Sequence, residues 1–321
     1  MKAFVRTILI FFSPFIIAIL FYVVSDPWKV LWKYDDYTDI TVNAAFRSYR
    51  LLTRGDTILY NSFIVGSSRS QIWPISEWEK VLHDSTAVGF HLDQSADGIC
   101  GALERMRWVY AHVDNVKHIL LIADESFFSQ TAPQSGAQFI TPWQMTGERD
   151  FIKFHLACMK FFFSRQGQEL YWGLGSTRQL LPYFIDERNE AHMVGKEWAI
   201  NEDPSYYYEH CVQGEDMKFY KRDSVETVGE SVLKDTQIKM LNELYLLFKS
   251  HRTEYKIVVS PLYDQIKLNP YDTKILYGIF GEENVFDYSG INKFTQDTLN
   301  YYETSHYRPN VCIQIMNEIY K

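Results

Sequence analysis

The chain has 321 residues, enough for one large domain or two small ones. Its 46% hydrophobic and 22% charged content is that of a globular protein with a real core. The net charge is −8 with no basic stripe, which excludes nucleic acid as a partner, because phosphate binding needs clustered Lys and Arg. Aromatic residues reach 16%, including 22 Tyr and 22 Phe. That excess suits broad aromatic surfaces such as a sugar-binding cleft, and it suits a bulky core equally well.

Residues 7–25 carry no charged group and come close to the roughly 20 apolar residues that a bilayer-spanning helix needs. Lys2 and Arg6 precede them, so the positive-inside rule puts the N-terminus in the cytoplasm and everything after Ser25 outside. Pro14 in mid-span is tolerated in bilayer helices. The competing reading is a cleaved signal peptide, with Val23 and Ser25 before the cut; Pro27 just beyond it and the length of the apolar run favour a retained anchor. Both readings export the rest of the chain. Residues 26–57 then read as a juxtamembrane segment, with Trp28 and Trp32 as interfacial anchors.

Five stretches read as short buried strands: 60–65, 86–92, 118–123, 255–260 and 284–288. They are rich in Val, Ile, Leu or aromatics and end at Gly, Ser, Asp or Pro. Residues 101–113, 232–248 and 309–320 show helical spacing, the last with proline in its first turn. Strands alternating with helices predict an α/β sandwich with a mostly parallel sheet over residues 58–321. Residues 127–228 interrupt the alternation with an aromatic-rich insertion too long for an ordinary connection. It either shapes substrate access or serves as a structural cap.

Cys100, Cys158, Cys211 and Cys312 lie in a compartment that permits disulfides. The patterns around Cys100 and Cys312 predict free thiols in core helices, and Cys158 with Cys211 is the more plausible bridge. No Cys/His spacing suggests a metal, and no motif calls for a cofactor.

In doubly wound sheets, ligands bind at the carboxyl ends of the strands. Polar groups follow every predicted strand: Gly66-Ser67-Ser68-Arg69-Ser70, then Asp93, Ser95 and Gly98, then Asp124 and Glu125, then Asp264, then Ser289 and Asn292. Near the C-terminus, Glu303-Thr304-Ser305-His306 puts a carboxylate three residues before a histidine. A serine hydroxyl is a poor nucleophile until a base removes its proton. His306 is the candidate base, and Glu303, from the same loop or helical turn, is the acid that orients it. Ser67 or Ser70 is an alternative nucleophile and Asp287 an alternative acid. His91, His155 and His210 read as structural or solvated.

The order and spacing of these motifs resemble the SGNH (GDSL-like) hydrolase superfamily, over about residues 60–125 and 255–321, and in particular its membrane-anchored bacterial members. Gly66-Ser67-Ser68 stands where that family has Gly-Asp-Ser, and Glu303-Thr304-Ser305-His306 where it has Asp-x-x-His. The resemblance implies a flavodoxin-like three-layer α/β core with a five-stranded sheet, Ser68 as nucleophile, and Gly98 as the oxyanion glycine. The family's Gly-x-Asn after the third strand is replaced by Ala123-Asp124-Glu125. An ionised Asp124 repels an oxyanion, so either Arg69 serves as donor or Asp124 pairs with it. The expected function is an exported serine esterase or O-acyltransferase acting on acyl esters of cell-surface glycans. The lipid bilayer and an acylated glycan are its expected partners. The alternative is a non-catalytic glycan- or partner-binding module of a cell-envelope assembly. A peptidase on the same triad is disfavoured, since nothing suggests a peptide-specificity pocket.

Overall fold

The protein is described by a computed structural model of residues 2–38, 42–55, 57–173, 181–212 and 217–321, with the side chains of the first helix given at 4, 6, 7 and 10–25. Five strands make its central sheet: β1 (Ser62–Gly66), β2 (Gly89–Asp93), β3 (His118–Ala123), β4 (Glu254–Val259) and β5 (Val285–Asp287). Their order is β2-β1-β3-β4-β5, and every neighbouring pair is parallel. Each predicted strand is present, shifted by at most three residues. Their near-continuous apolar character has a plain cause, since helices cover both faces of the sheet.

Alternate residues along the strands divide between two cores. Phe63, Val65, Leu121 and Val259 face one; Ile64, Leu120, Ile122 and Val258 face the other. The longer helices are α1 (Lys2–Ser25), α2 (Ala44–Leu52), α3 (Ile75–Val81), α4 (Ile99–His112), α5 (Glu125–Ser129), α6 (Phe151–Phe162), α7 (Arg165–Tyr171), α8 (Val194–Glu202), α9 (Asp235–His251), α10 (Pro270–Phe280) and α11 (Pro309–Ile319). Helices α4, α9 and α10 fill the first core with Met106, Leu244 and Leu276. Helices α3 and α11 fill the second with Trp78, Val311 and Ile315.

The described residues of 26–57, expected as a juxtamembrane segment, fold onto the core. They contain α2, whose N-cap Asn43 accepts a hydrogen bond from the Phe46 amide at 2.7 Å. Phe46, Leu51 and Leu52 bury it in the first core. Trp28 is not an interfacial anchor: it is 5% exposed, its indole donates to the Cys158 carbonyl at 3.0 Å, and Phe161, Phe162 and Tyr171 ring it. Those partners all come from the insertion, more than a hundred residues away, and no local pattern announces them. Trp32 is exposed and donates to the Val23 carbonyl at the end of α1. Among the described residues, no helix is long and apolar enough to cross a membrane.

The four cysteines are all free. The expected Cys158–Cys211 bridge is absent: Cys158 is buried in α6 in the first core, whereas Cys211 packs against the second. The insertion contributes α6, α7 and α8 and a short hairpin of Phe184–Ile185 with Ala191–His192. That hairpin covers the open edge of β2: the His91 amide donates to the Arg188 carbonyl, and Asn189 bonds His91, Ser48 and Arg47.

Candidate active site

The strand order reverses between β1 and β3, and the site is built where both strands end. A Cβ on Gly66 would come within 2.6 Å of the Ile122 carbonyl and 2.7 Å of Ser70 Oγ, so only glycine lets the chain turn this close to β3. The turn that follows separates the three serines. Ser67 is buried, and its carbonyl accepts from the Ser70 amide at 3.1 Å. Ser70 is also buried, with its hydroxyl 2.6 Å from the Ser67 carbonyl and 2.5 Å from Asp93 Oδ1. Ser68 is half-buried, and its Oγ lies 2.9 Å from His306 Nε2.

Glu303 and His306 sit in neither a helix nor a loop. Tyr301–Glu303 and His306–Tyr307 form an antiparallel hairpin with Glu303 directly opposite His306. Facing cross-strand positions bring side chains together, and Glu303 Oε1 contacts His306 Nδ1 directly. A carboxylate only accepts, so the proton is on Nδ1 and Nε2 is free to accept from the Ser68 hydroxyl. The hairpin is held on all sides. The Tyr301 hydroxyl donates to the Pro261 carbonyl at 2.9 Å, Trp73 Nε1 donates to the Tyr307 hydroxyl at 3.1 Å, and the Tyr302 hydroxyl donates to Glu197 at 2.6 Å.

Burial alone would raise the Glu303 carboxyl. The His306 hydrogen bond and charge, with Lys196 Nζ at 3.4 Å, outweigh it and hold the group below the usual glutamate range. Lys196 and Met217 are site residues that the sequence did not suggest. The Met217 carbonyl accepts from the Thr304 amide at 3.2 Å, and its sulfur lies 3.3 Å from Ser305 Oγ. Both belong to the insertion, and neither stands in a motif.

Asp124 pairs with Arg69, its Oδ2 lying 2.6 Å from Arg69 Nη1. Its other oxygen accepts from Ser126 Oγ and, at 3.0 Å, from the Phe127 amide, capping α5. Arg69 Nε donates to the Ser305 carbonyl at 3.0 Å. One guanidinium therefore ties the serine turn, the end of β3 and the acid–base hairpin together. Gly98 stands at the N-terminus of α4, where the Gln130 side chain occupies the space a Cβ would take.

The alternative assignments find other partners. Asp287 accepts from the Ser289 amide and hydroxyl and pairs with Lys267 at 2.9 Å, so its carboxylate is committed away from His306. His91 is fully buried between Asp93 at 2.7 Å and the Trp73 carbonyl at 2.9 Å. With Ser70 it makes a second Ser–Asp–His group, but one sealed from solvent. His155 packs tilted on Phe151 and edge-on to Phe154, and His210 lies on Tyr206. Among the described residues, Asp186, Glu190 and His192 cluster closely enough to share a cation. Their atoms also bond within the hairpin and to the Ile75 amide, which gives them a structural use.

The Ser68–His306–Glu303 line thus has the connectivity of a nucleophile, a base and an orienting acid. No family model and no curated protein matches this chain. Its α/β fold, a five-stranded all-parallel sheet, is consistent with an SGNH-like or other Rossmann-like core.

Proposed function

We propose that the protein is an exported serine esterase or O-acyltransferase of the SGNH type, anchored by α1 and acting on acyl esters of cell-surface glycans. The observation that carries this reading is the 2.9 Å contact of Ser68 Oγ with His306 Nε2, with Glu303 on the opposite ring nitrogen. Ser68 Oγ attacks the ester carbonyl while His306 Nε2 takes its proton, giving a tetrahedral oxyanion. Glu303 stabilises the imidazolium that forms. His306 returns the proton to the departing alcohol, leaving an acyl-Ser68. Water or a glycan hydroxyl, deprotonated in turn by His306, then removes the acyl group and restores the serine.

The glycan acceptor is supported by a cavity of about 400 Å³ lined by Tyr220, Arg222, Tyr263, Gln265 and Gln296. The exposed Tyr220 ring and the exposed Gln296 amide suit a sugar ring and its hydroxyls. The Met217 contact with Ser305 lies only three residues before Tyr220, so one strand of chain links this cavity to the hairpin. Export and anchoring are supported by Lys2 and Arg6 ahead of the uncharged stretch 7–25. Phe11, Phe15, Ile17, Leu20 and Val24 of α1 also stay exposed, unlike the apolar side chains of a core helix.

A fluorophosphonate probe tests the assignment. Wild type should label and Ser68→Ala should not; equal labelling of the two would sink it. One observation favours a second reading. Asp124 puts an ion-paired carboxylate where the SGNH family has an asparagine donor, and loss of one oxyanion donor costs about a hundredfold or more in rate. On that reading the domain is a non-catalytic glycan-binding module, and neither form labels.

A further inference from the structure

Helix α6 has two apolar faces, and the fold uses one of them. Phe154, Cys158 and Phe162, spaced i, i+4, i+8, are buried in the first core. Ile152, Leu156, Met159 and Phe163 recur at i, i+4, i+7 and i+11, which lines them up along a second stripe. Ile152, Leu156 and Phe163 are exposed (68, 53 and 49%), an unusual concentration for one short helix. Lys153 and Lys160, both exposed, flank the stripe on one side. Exposed Trp172 follows at the end of α7, whose Tyr171 packs on Phe162.

The stripe meets α1 at its C-terminal end, where Phe163 packs on Phe162. Phe21 and Tyr22 of α1 pack on Phe162, while Phe15, Ile17, Leu20 and Val24 remain uncovered. Trp32, also exposed, closes the end of α1 through its bond to the Val23 carbonyl. An apolar stripe edged by lysines, with tryptophans at its margin, is the chemistry of a helix lying in a membrane interface.

We propose that α6 is a second, interfacial membrane contact that lays the domain against the bilayer beside α1, its apolar stripe entering the acyl boundary and Lys153 and Lys160 meeting anionic headgroups. The inference deepens the anchoring reading above and rests on it for the orientation of α1. It also gives the site a direction. The catalytic hairpin packs through Tyr301, Tyr302 and Tyr307 in the second core, on the sheet face opposite α6. The docked domain therefore presents Ser68 away from lipid, toward polymers outside the membrane.

The test uses the full chain in phosphatidylcholine/phosphatidylglycerol vesicles containing a phospholipid with a photoreactive acyl chain, with adducts mapped by mass spectrometry. Adducts are expected both in residues 1–25 and in residues 151–163. In the variant Ile152→Ser/Leu156→Ser/Phe163→Ser, which alters only exposed positions, those in 151–163 should fall at least fivefold and those in 1–25 persist. Adducts confined to 1–25 would overturn the interfacial contact and leave the anchor standing. Adducts in 151–163 alone would support the contact while removing the anchor. Adducts in neither segment, or crosslinks from 151–163 to a second copy of the chain in place of lipid, would overturn the proposal.

Discussion

Arg69 Nη1 lies 2.6 Å from Asp124 Oδ2, joining the turn after β1 to the end of β3. The same guanidinium reaches the Ser305 carbonyl, so the ion pair also sets the height of the hairpin that carries His306. Asp124 is 3% exposed and Arg69 22%. Removing one partner leaves a charge in a largely dry place.

Arg69→Ala should therefore lower unfolding free energy by about 2–4 kcal/mol. That is somewhat less than the loss for a fully buried pair, because Arg69 keeps part of its surface in water. Urea denaturation measures it. The double variant Arg69→Ala/Asp124→Asn should recover part of the loss, since no buried charge is then stranded. A single variant within about 0.5 kcal/mol of wild type, the range of an ordinary surface substitution, would show that the pair is not structural.

Glu303→Gln keeps the shape of the side chain and removes its charge. It should lower ester turnover by roughly 10²–10⁴-fold with little change in fold, because the imidazole loses the partner that holds its tautomer. Wild type should also show a stability term that depends on acid. The Glu303 carboxyl is held lower in the folded chain than in the unfolded one, so the unfolded state binds the proton more readily. The contribution is complete above the unfolded value of about 4.3 and is lost as pH falls through the folded value. Thermal melts from pH 6 downward should show it, and Glu303→Gln should flatten that part of the curve.

Gly66→Ala adds one methyl group where the Ile122 carbonyl lies 2.6 Å away. Backbone cannot rotate out of the way as a side chain can, so the β1–β3 contact must open. The expected cost is about 3 kcal/mol or more, at the upper end for overpacking. A melting temperature within a degree or two of wild type would contradict the close approach.

With four free cysteines, reducing agent should leave the melting temperature of freshly purified protein unchanged. A Cys158–Cys211 bridge would make reduction cost about 2–4 kcal/mol. Thiol titration of the denatured, unreduced chain should count four.

Much of the frame was legible along the chain. The strand at 118–123 appears with the predicted bounds, and the helices near 101, 232 and 309 lie within three residues of their predicted limits. These segments are set by short-range periodicity, which burial on both faces of the sheet only reinforces. Helices α2, α3 and α10 escaped the same reading. Helix α3 has seven residues and buries only Ile75 and Trp78, too few turns for a period to declare itself. Helix α2 lies in a segment whose aromatic character suggested a membrane interface.

The sequence by itself determined the order of the parts: an apolar N-terminal helix, alternating strands and helices, a serine turn after the first strand, and an acid–histidine pair before the last helix. Only the tertiary structure decided which serine faces His306, because Ser67, Ser68 and Ser70 differ in burial and not in type. It also decided that Glu303 meets His306 across a hairpin and that Asp124 neutralises Arg69. Lys196 and Met217 are brought against that hairpin from an insertion a hundred residues upstream. Such partnerships form between groups far apart in the chain, and they depend on distances of about 3 Å that only the packed sheet and its two cores can set.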